Sequence, residues 1–98
     1  MAMEPLKKLP ESLEEFRKEL FKKESEQWIQ YINLKINQWV YVRHLGGFSL
    51  EGFPPKYEAG FWLNGEPCLL KECSTLSEAF ECFIEMGNST NVYQEKIL

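Results

Sequence analysis

The sequence predicts a single α+β domain, a three-stranded antiparallel meander between an N-terminal and a C-terminal helix, in the order α-β-β-β-α. An Asn-Gly pair at 64–65 lies between two apolar runs, which is typical of a two-residue hairpin because both turn positions need positive φ. Ser12 with Glu15, and Thr75 with Glu78, have the spacing of capping boxes at helix starts. With 98 residues and 44% hydrophobic content, the chain suffices for one modest core.

The first helix begins at the first capping box. Leu13, Phe16 and Leu20 recur at helical spacing. The same stripe extends to Tyr31 and predicts a helix over about 11–31.

An alternative ends this helix near Glu26. Residues 28–36 alternate like a strand and are rich in β-branched and aromatic side chains, and no Gly or Pro marks the boundary. Under this alternative, residues 28–36 form an additional strand. We prefer the longer helix.

The meander follows, with strands near 38–44, 57–63 and 66–73. In the two-residue hairpin Leu63 faces Glu66, and the pairing continues to Ala59 with Leu70 and to Glu58 with Lys71, an opposite-charge pair. Pro67 cannot donate to a ladder, so its strand is predicted to be a sheet edge and 57–63 to be central.

The second helix is predicted over 76–86. Its apolar face holds Leu76, Ala79, Phe80, Phe83 and Met86, and Gly87 follows as a left-handed terminator. Residues 1–10 and 89–98 are expected to be loosely ordered tails.

This helix is expected to cover one face of the sheet. The opposite face then collects six side chains: Trp39, Tyr41, Arg43, Trp62, Leu69 and Lys71. An aromatic surface beside two cations is unusual in contact with water. The preferred cover is the N-terminal helix; the alternatives are a second copy in a homodimer, or a foreign partner.

No motif of metal, cofactor or catalytic chemistry is found. Cys68, Cys73 and Cys82 lack a paired C-x2-C spacing, and the predicted register points the first two to opposite faces. His44 is the only histidine and has no recognisable nucleophile context. The chain is therefore predicted to be non-enzymatic, with no cofactor and no metal.

Three cysteines, no apolar leader and no run of about 18 apolar residues favour a reducing, cytoplasmic setting without membrane association. From Leu45 to Leu98 the chain holds three Lys against eight Glu, a net charge of -5. Such a surface opposes phosphates and suits a partner with a basic surface.

The element order α-β-β-β-α resembles that of double-stranded RNA-binding domains. Those domains place lysines at the start of the second helix, where this chain has Ser-Thr-Leu-Ser-Glu, so a nucleic-acid partner is not expected. Single-stranded nucleic-acid binding through the aromatic sheet face remains the alternative function.

The predicted function is that of a small acidic protein-binding module of the inhibitor, immunity or accessory type. The candidate partner-binding residues are Trp39, Tyr41 and Trp62 on the sheet, and Phe48 and Phe53 in the long loop between the first two strands of the meander. Aromatic anchors of this kind usually supply most of the energy of an interface.

Overall fold

The computed structural model describes residues 5–22, 27–45 and 56–94. Within these residues the chain forms α1 (Leu13–Leu20), β1 (Trp28–Asn33), β2 (Gln38–Leu45), β3 (Lys56–Leu63), β4 (Glu66–Cys73) and α2 (Leu76–Asn88). The four described strands make one antiparallel sheet in chain order, β1-β2-β3-β4. The α+β class, with a meander between two helices and the additional strand, is confirmed.

The first helix is much shorter than predicted. α1 ends at Leu20, and residues 28–33 form β1 instead, so the helix over 11–31 is wrong and the alternative strand is right. Phe16 and Leu20 are the buried residues of α1. The β-branched and aromatic side chains that follow are better accommodated on a pleated, half-buried surface, and they pair with β2.

β1 ends at Asn33, short of the predicted limit. The side-chain amide of this buried residue donates to the carbonyls of Met86 (2.8 Å) and Ser89 (3.0 Å) at the end of α2. Residues 34–37 then reverse the chain, with Asn37 in the left-handed region at φ 52°. Asn33 therefore ties the β1–β2 turn to the second helix.

α2 runs past its predicted terminator. Gly87 is helical, and the helix ends at Asn88 with Ser89 as its C-cap. A Cβ at Gly87 would lie 2.5 Å from Leu9 Cδ2. This glycine therefore serves close packing of the N-terminal segment against the helix, and its predicted role as a left-handed cap is wrong.

The hairpin of β3 and β4 begins as predicted. Leu63 pairs with Glu66 and Phe61 with Cys68, around a turn that has Asn64 and Gly65 at positive φ. β4 is an edge strand, which accommodates the missing N–H of Pro67.

The register then shifts at a β-bulge between Ala59 and Gly60. Ala59 pairs with Lys71 rather than with Leu70, and Glu58 pairs with Glu72. The predicted opposite-charge pair of Glu58 with Lys71 is therefore wrong. The extra residue in β4 turns Lys71 toward the helix side of the sheet.

Gly60 lies at this β-bulge, where a larger side chain has no room. A Cβ at this position would lie 2.6 Å from Tyr41 Oη and would also collide with the Cys68 carbonyl. The Tyr41 ring therefore lies over a glycine, and no larger residue fits without moving the aromatic ring or the neighbouring strand.

Both helices pack on the same face of the sheet. The Phe16 ring lies 5.3 Å from the Phe80 ring and 5.7 Å from the Phe83 ring, between centroids. The core beneath them consists of Phe16, Leu20, Ile29, Val40, Val42, Tyr57, Ala59, Phe61, Cys73, Ala79, Phe83 and Met86. The expectation that α1 covers the opposite face is wrong, because the buried residues of this short helix pack against α2 and the neighbouring strands.

The described parts of the terminal segments contact the sheet. The Leu6 N–H donates to the Gln30 carbonyl at the outer edge of β1 (2.7 Å). Tyr93 stacks on Phe61 at 5.5 Å and exchanges two hydrogen bonds with the Gln38 side chain. These contacts fix both segments against the domain.

The collision at Gly60 predicts that Gly60→Ala lowers the free energy of unfolding by about 2 kcal/mol or more, because one neighbour is backbone that cannot yield without breaking the ladder. Urea unfolding measures this. Gly87→Ala is the comparison variant: the three atoms nearest to its new Cβ all belong to the Leu9 side chain, which can move aside, and alanine gains helix propensity, so the loss of stability should be smaller than for Gly60→Ala. Equal losses in the two variants would contradict the packing described at Gly60.

Candidate functional site

The sheet face opposite the helices, called here the aromatic face, is formed by alternate residues of all four described strands. Val40, Val42 and Phe61 point to the core, so their neighbours along each strand point away from it. The apolar members of the aromatic face are Trp28, Ile32, Trp39, Tyr41, Leu45, Trp62, Pro67 and Leu69. Neither described helix lies on this face.

The structure brings three predicted site residues to this one face. Tyr41 lies in the middle, with its ring centroid 5.3 Å from that of Trp28 and 6.2 Å from that of Trp62. Tyr41 is only 2% exposed, so the neighbouring side chains cover it. It packs against the rings of Trp28 and Trp62 and offers almost no accessible surface of its own. Trp39 and Trp62 are half-buried and keep part of their surface accessible.

Trp28 is an aromatic member of this face that sequence reasoning missed. The preferred helix over 11–31 contains Trp28 and so excluded it from the predicted sheet, whereas the alternative strand over 28–36 includes it. In the structure it pairs with Arg43 across β1 and β2. The other two predicted residues, Phe48 and Phe53, lie outside the described residues.

The charges on the aromatic face nearly cancel. Arg43 forms an ion pair with Glu58 through Nε and Nη2, and its guanidinium carbon lies 5.1 Å from the centroid of the Trp28 ring. Alternation also places Lys56 and Glu72 here, with opposite signs. Because the bulge turns Lys71 to the other side, the predicted pair of cations beside the tryptophans is wrong.

A groove of about 690 Å³ opens where the aromatic face meets the β1–β2 and β3–β4 turns, and is called here the turn groove. Its walls contain no charged residue among those described. The apolar part of the lining is Ile36, Trp39, Trp62, Leu63 and Val92. A volume between roughly 300 and 1,000 Å³ is typical of pockets that hold ligands.

The polar residues that line this groove include Gln30, and Trp62 contributes an indole N–H. Gln30 is 8% exposed. The indole Nε1 of Trp62 is buried without an acceptor among the described residues. Buried polar groups are normally hydrogen-bonded, and each unsatisfied group costs free energy.

Burial disfavours the reactive thiolate form at Cys73 and Cys82. Cys73 is buried and Cys82 half-buried, and each thiol influences the pKa of the other. Burial raises the pKa of both, that of Cys82 to about 11, with Cys73 as a further cause. The bulge also places Cys68 and Cys73 on the same face of the sheet, so the predicted opposite orientation is wrong.

His44 is packed into the structure at the end of β2. Its Nδ1 hydrogen-bonds the Gln27 side chain at 2.5 Å, and its ring lies 5.2 Å from that of Phe21 and 5.1 Å from that of Tyr57. Burial lowers its pKa. These contacts give His44 a structural role at the end of β2.

Within residues 5–22, 27–45 and 56–94, no group of three or more His, Cys, Asp or Glu side chains is placed to hold a metal ion. No helix of this part of the chain is long and apolar enough to span a bilayer.

Comparison with known proteins adds no family assignment. No protein-family model matches the chain, and neither does any curated protein or solved structure searched.

The raised pKa of Cys82 predicts slow alkylation. At pH 7.5 its reaction with iodoacetamide should be ~100-fold slower than that of the same cysteine in the urea-unfolded chain, because few molecules carry the thiolate. The rate should rise about tenfold per pH unit below the pKa. Peptide mass spectrometry of timed reactions measures both. Native and unfolded chains reacting equally fast would show that the thiol is not buried as described.

Proposed function

We propose that this chain is a small, non-enzymatic protein-binding module that docks on another protein through the aromatic face. One observation carries the proposal: an apolar sheet surface with three tryptophans faces away from both described helices. Tryptophan and tyrosine side chains are enriched among the residues that dominate binding energy at protein interfaces.

The partner surface that fits is apolar and close to neutral where it meets the aromatic face. The Arg43–Glu58 pair already satisfies the central charges, so an unpaired charge from the partner would be desolvated without compensation. The net charge of -4 acts at longer range and favours approach of a partner with a basic surface. An inhibitor, immunity or accessory role fits a compact acidic domain of this kind.

The single-stranded nucleic-acid alternative has less support. Stacking on tryptophan is compatible with it, but phosphate binding needs unpaired cations along the same surface. Arg43 is bound to Glu58 and Lys71 lies on the helix side, so Lys56 is the one cation left on this face among the described residues, and Glu72 of the same face offsets its charge. The protein-binding proposal therefore fits the electrostatics of the face better.

The test is capture with the tagged full-length chain, identification of the captured protein by mass spectrometry, and calorimetric titration of that protein in purified form. Trp39→Ala should weaken binding at least about tenfold, because it removes an accessible anchor of the face. Leu13→Ala, an exposed apolar residue at the start of α1, is the matched control and should bind like the parent chain.

Circular dichroism and the unfolding midpoint establish that each variant is folded. If Trp28→Ala, Trp39→Ala and Trp62→Ala all fold and bind with unchanged affinity, the aromatic face is not the docking surface. Sedimentation of the isolated chain gives a second decisive result: a dimer dissociated by Trp39→Ala would mean that a second copy, rather than a foreign protein, covers the face.

A further inference from the structure

The two edges of the sheet differ in what covers them. At the outer edge of β1 the N-terminal segment forms a parallel bridge from Leu6 to Tyr31, and the Leu6 N–H donates to the Gln30 carbonyl at 2.7 Å. No segment in the described part of the chain pairs with the outer edge of β4. An uncovered edge presents backbone N–H and C=O groups with which another strand can pair. β4 is therefore the edge at which this sheet can be extended.

β4 also carries apolar side chains that its own fold leaves exposed. Six of its eight residues are exposed. Leu69, which lies opposite Gly60 on the aromatic face, is 50% exposed, and Leu70, which the bulge leaves without a partner in β3, is 43% exposed. A groove of about 680 Å³ beside both leucines is lined in part by Gln94 of the C-terminal segment. A strand added at this edge would remove apolar surface from water.

The hairpin determines which backbone groups of β4 face outward. In a two-residue hairpin the residues that close the turn, here Leu63 and Glu66, exchange hydrogen bonds. Alternation then directs the backbone groups of Pro67 and Leu69 toward the open edge, and those of Glu72 beyond the bulge. The N–H that Pro67 lacks is one that would point away from the sheet, which is where proline is tolerated.

These outward groups and the charges of β4 complement those of a second copy. When two β4 strands pair antiparallel about Leu69, the two Leu69 residues exchange two hydrogen bonds, and each Glu72 N–H meets a Pro67 carbonyl once the bulged residue is passed over. Glu66 and Lys71 both lie on the helix side of the sheet. This register brings each Lys71 near Glu66 of the other copy, whereas registers centred on Lys71 or Glu72 would oppose like charges.

We propose that two copies of this chain associate through antiparallel pairing of their β4 strands, centred on Leu69, and form one continuous eight-stranded sheet from the four described strands of each copy. Pairing of an edge with itself in this way has a two-fold axis perpendicular to the sheet. The helices of both copies then lie on one side and both aromatic faces on the other. The aromatic faces stay accessible to a foreign partner, so this proposal goes beyond the protein-binding function and does not depend on it.

The dimer should be weak and closed. A single pair of short strands buries less surface than a standard stable interface, which favours a dissociation constant in the micromolar range. Pro67 and the bulge confine pairing to a short ladder, and the two-fold arrangement uses up the open edge of each copy. Association therefore stops at two copies.

Sedimentation equilibrium of the full-length chain at about 10 to 300 µM measures this association, since that range spans a micromolar dissociation constant. Leu69→Lys should weaken the dimer at least about tenfold, because it places two ammonium groups at the centre of the ladder. Leu34→Lys makes the same change at a residue that is 80% exposed in the β1–β2 turn and should leave the dissociation constant unchanged. Circular dichroism establishes that each variant is folded.

Charge reversal on the helix side tests the register itself. Glu66→Lys and Lys71→Glu should each weaken the dimer about fivefold or more, because like charges then meet twice across the two-fold axis. An equal mixture of the two single variants should form a heterodimer as stable as the parent dimer, since each copy then meets opposite charges in the other. A role of either residue within its own chain would not produce this rescue.

A chain that stays monomeric up to about 300 µM, far above a micromolar dissociation constant, would overturn the proposal. A mixture of the charge-reversal variants that dimerises no better than each variant alone would overturn the register. A dimer that Trp39→Ala dissociates, and that the substitutions at Glu66 and Lys71 leave intact, would show that the copies meet through the aromatic face and that β4 does not pair.

Discussion

The packing of Phe16 against Phe80 and Phe83 is the contact on which the architecture depends. It places α1 beside α2, so that both helices bury one face of the sheet and neither reaches the other. The same contact completes the core around Val40 and Val42. The aromatic face is therefore a consequence of helix–helix packing, and any function assigned to it follows from that arrangement.

The parts of the fold that local chemistry determines could be predicted. The positive-φ turn at 64–65 fixed the first pairs of the hairpin, and Pro67 made β4 an edge strand. Both capping residues, Ser12 and Thr75, accept hydrogen bonds from the backbone N–H groups three residues ahead. Alternation along β2 was enough to place Trp39 and Tyr41 on the same face.

The parts of the fold that depend on contacts between residues distant in sequence could not be predicted. The end of α1 depends on what Phe16 and Leu20 meet in the folded chain, and the bulge begins at Gly60, where the Tyr41 ring from the neighbouring strand packs. That bulge moves Lys71 off the aromatic face and changes its charge, which no local pattern signals. The turn groove was missed for the same reason, since it joins Gln30 to residues from two turns and the C-terminal segment.

Hydroxyl-radical footprinting of the purified complex, compared with the free chain, tests most directly whether the aromatic face binds the partner. The account predicts that Trp39 and Trp62 lose reactivity in the complex, because both keep part of their surface accessible in the free chain. The buried Phe83 should be unreactive in both samples. Protection confined to α2, with Trp39 and Trp62 as reactive as in the free chain, would contradict the account.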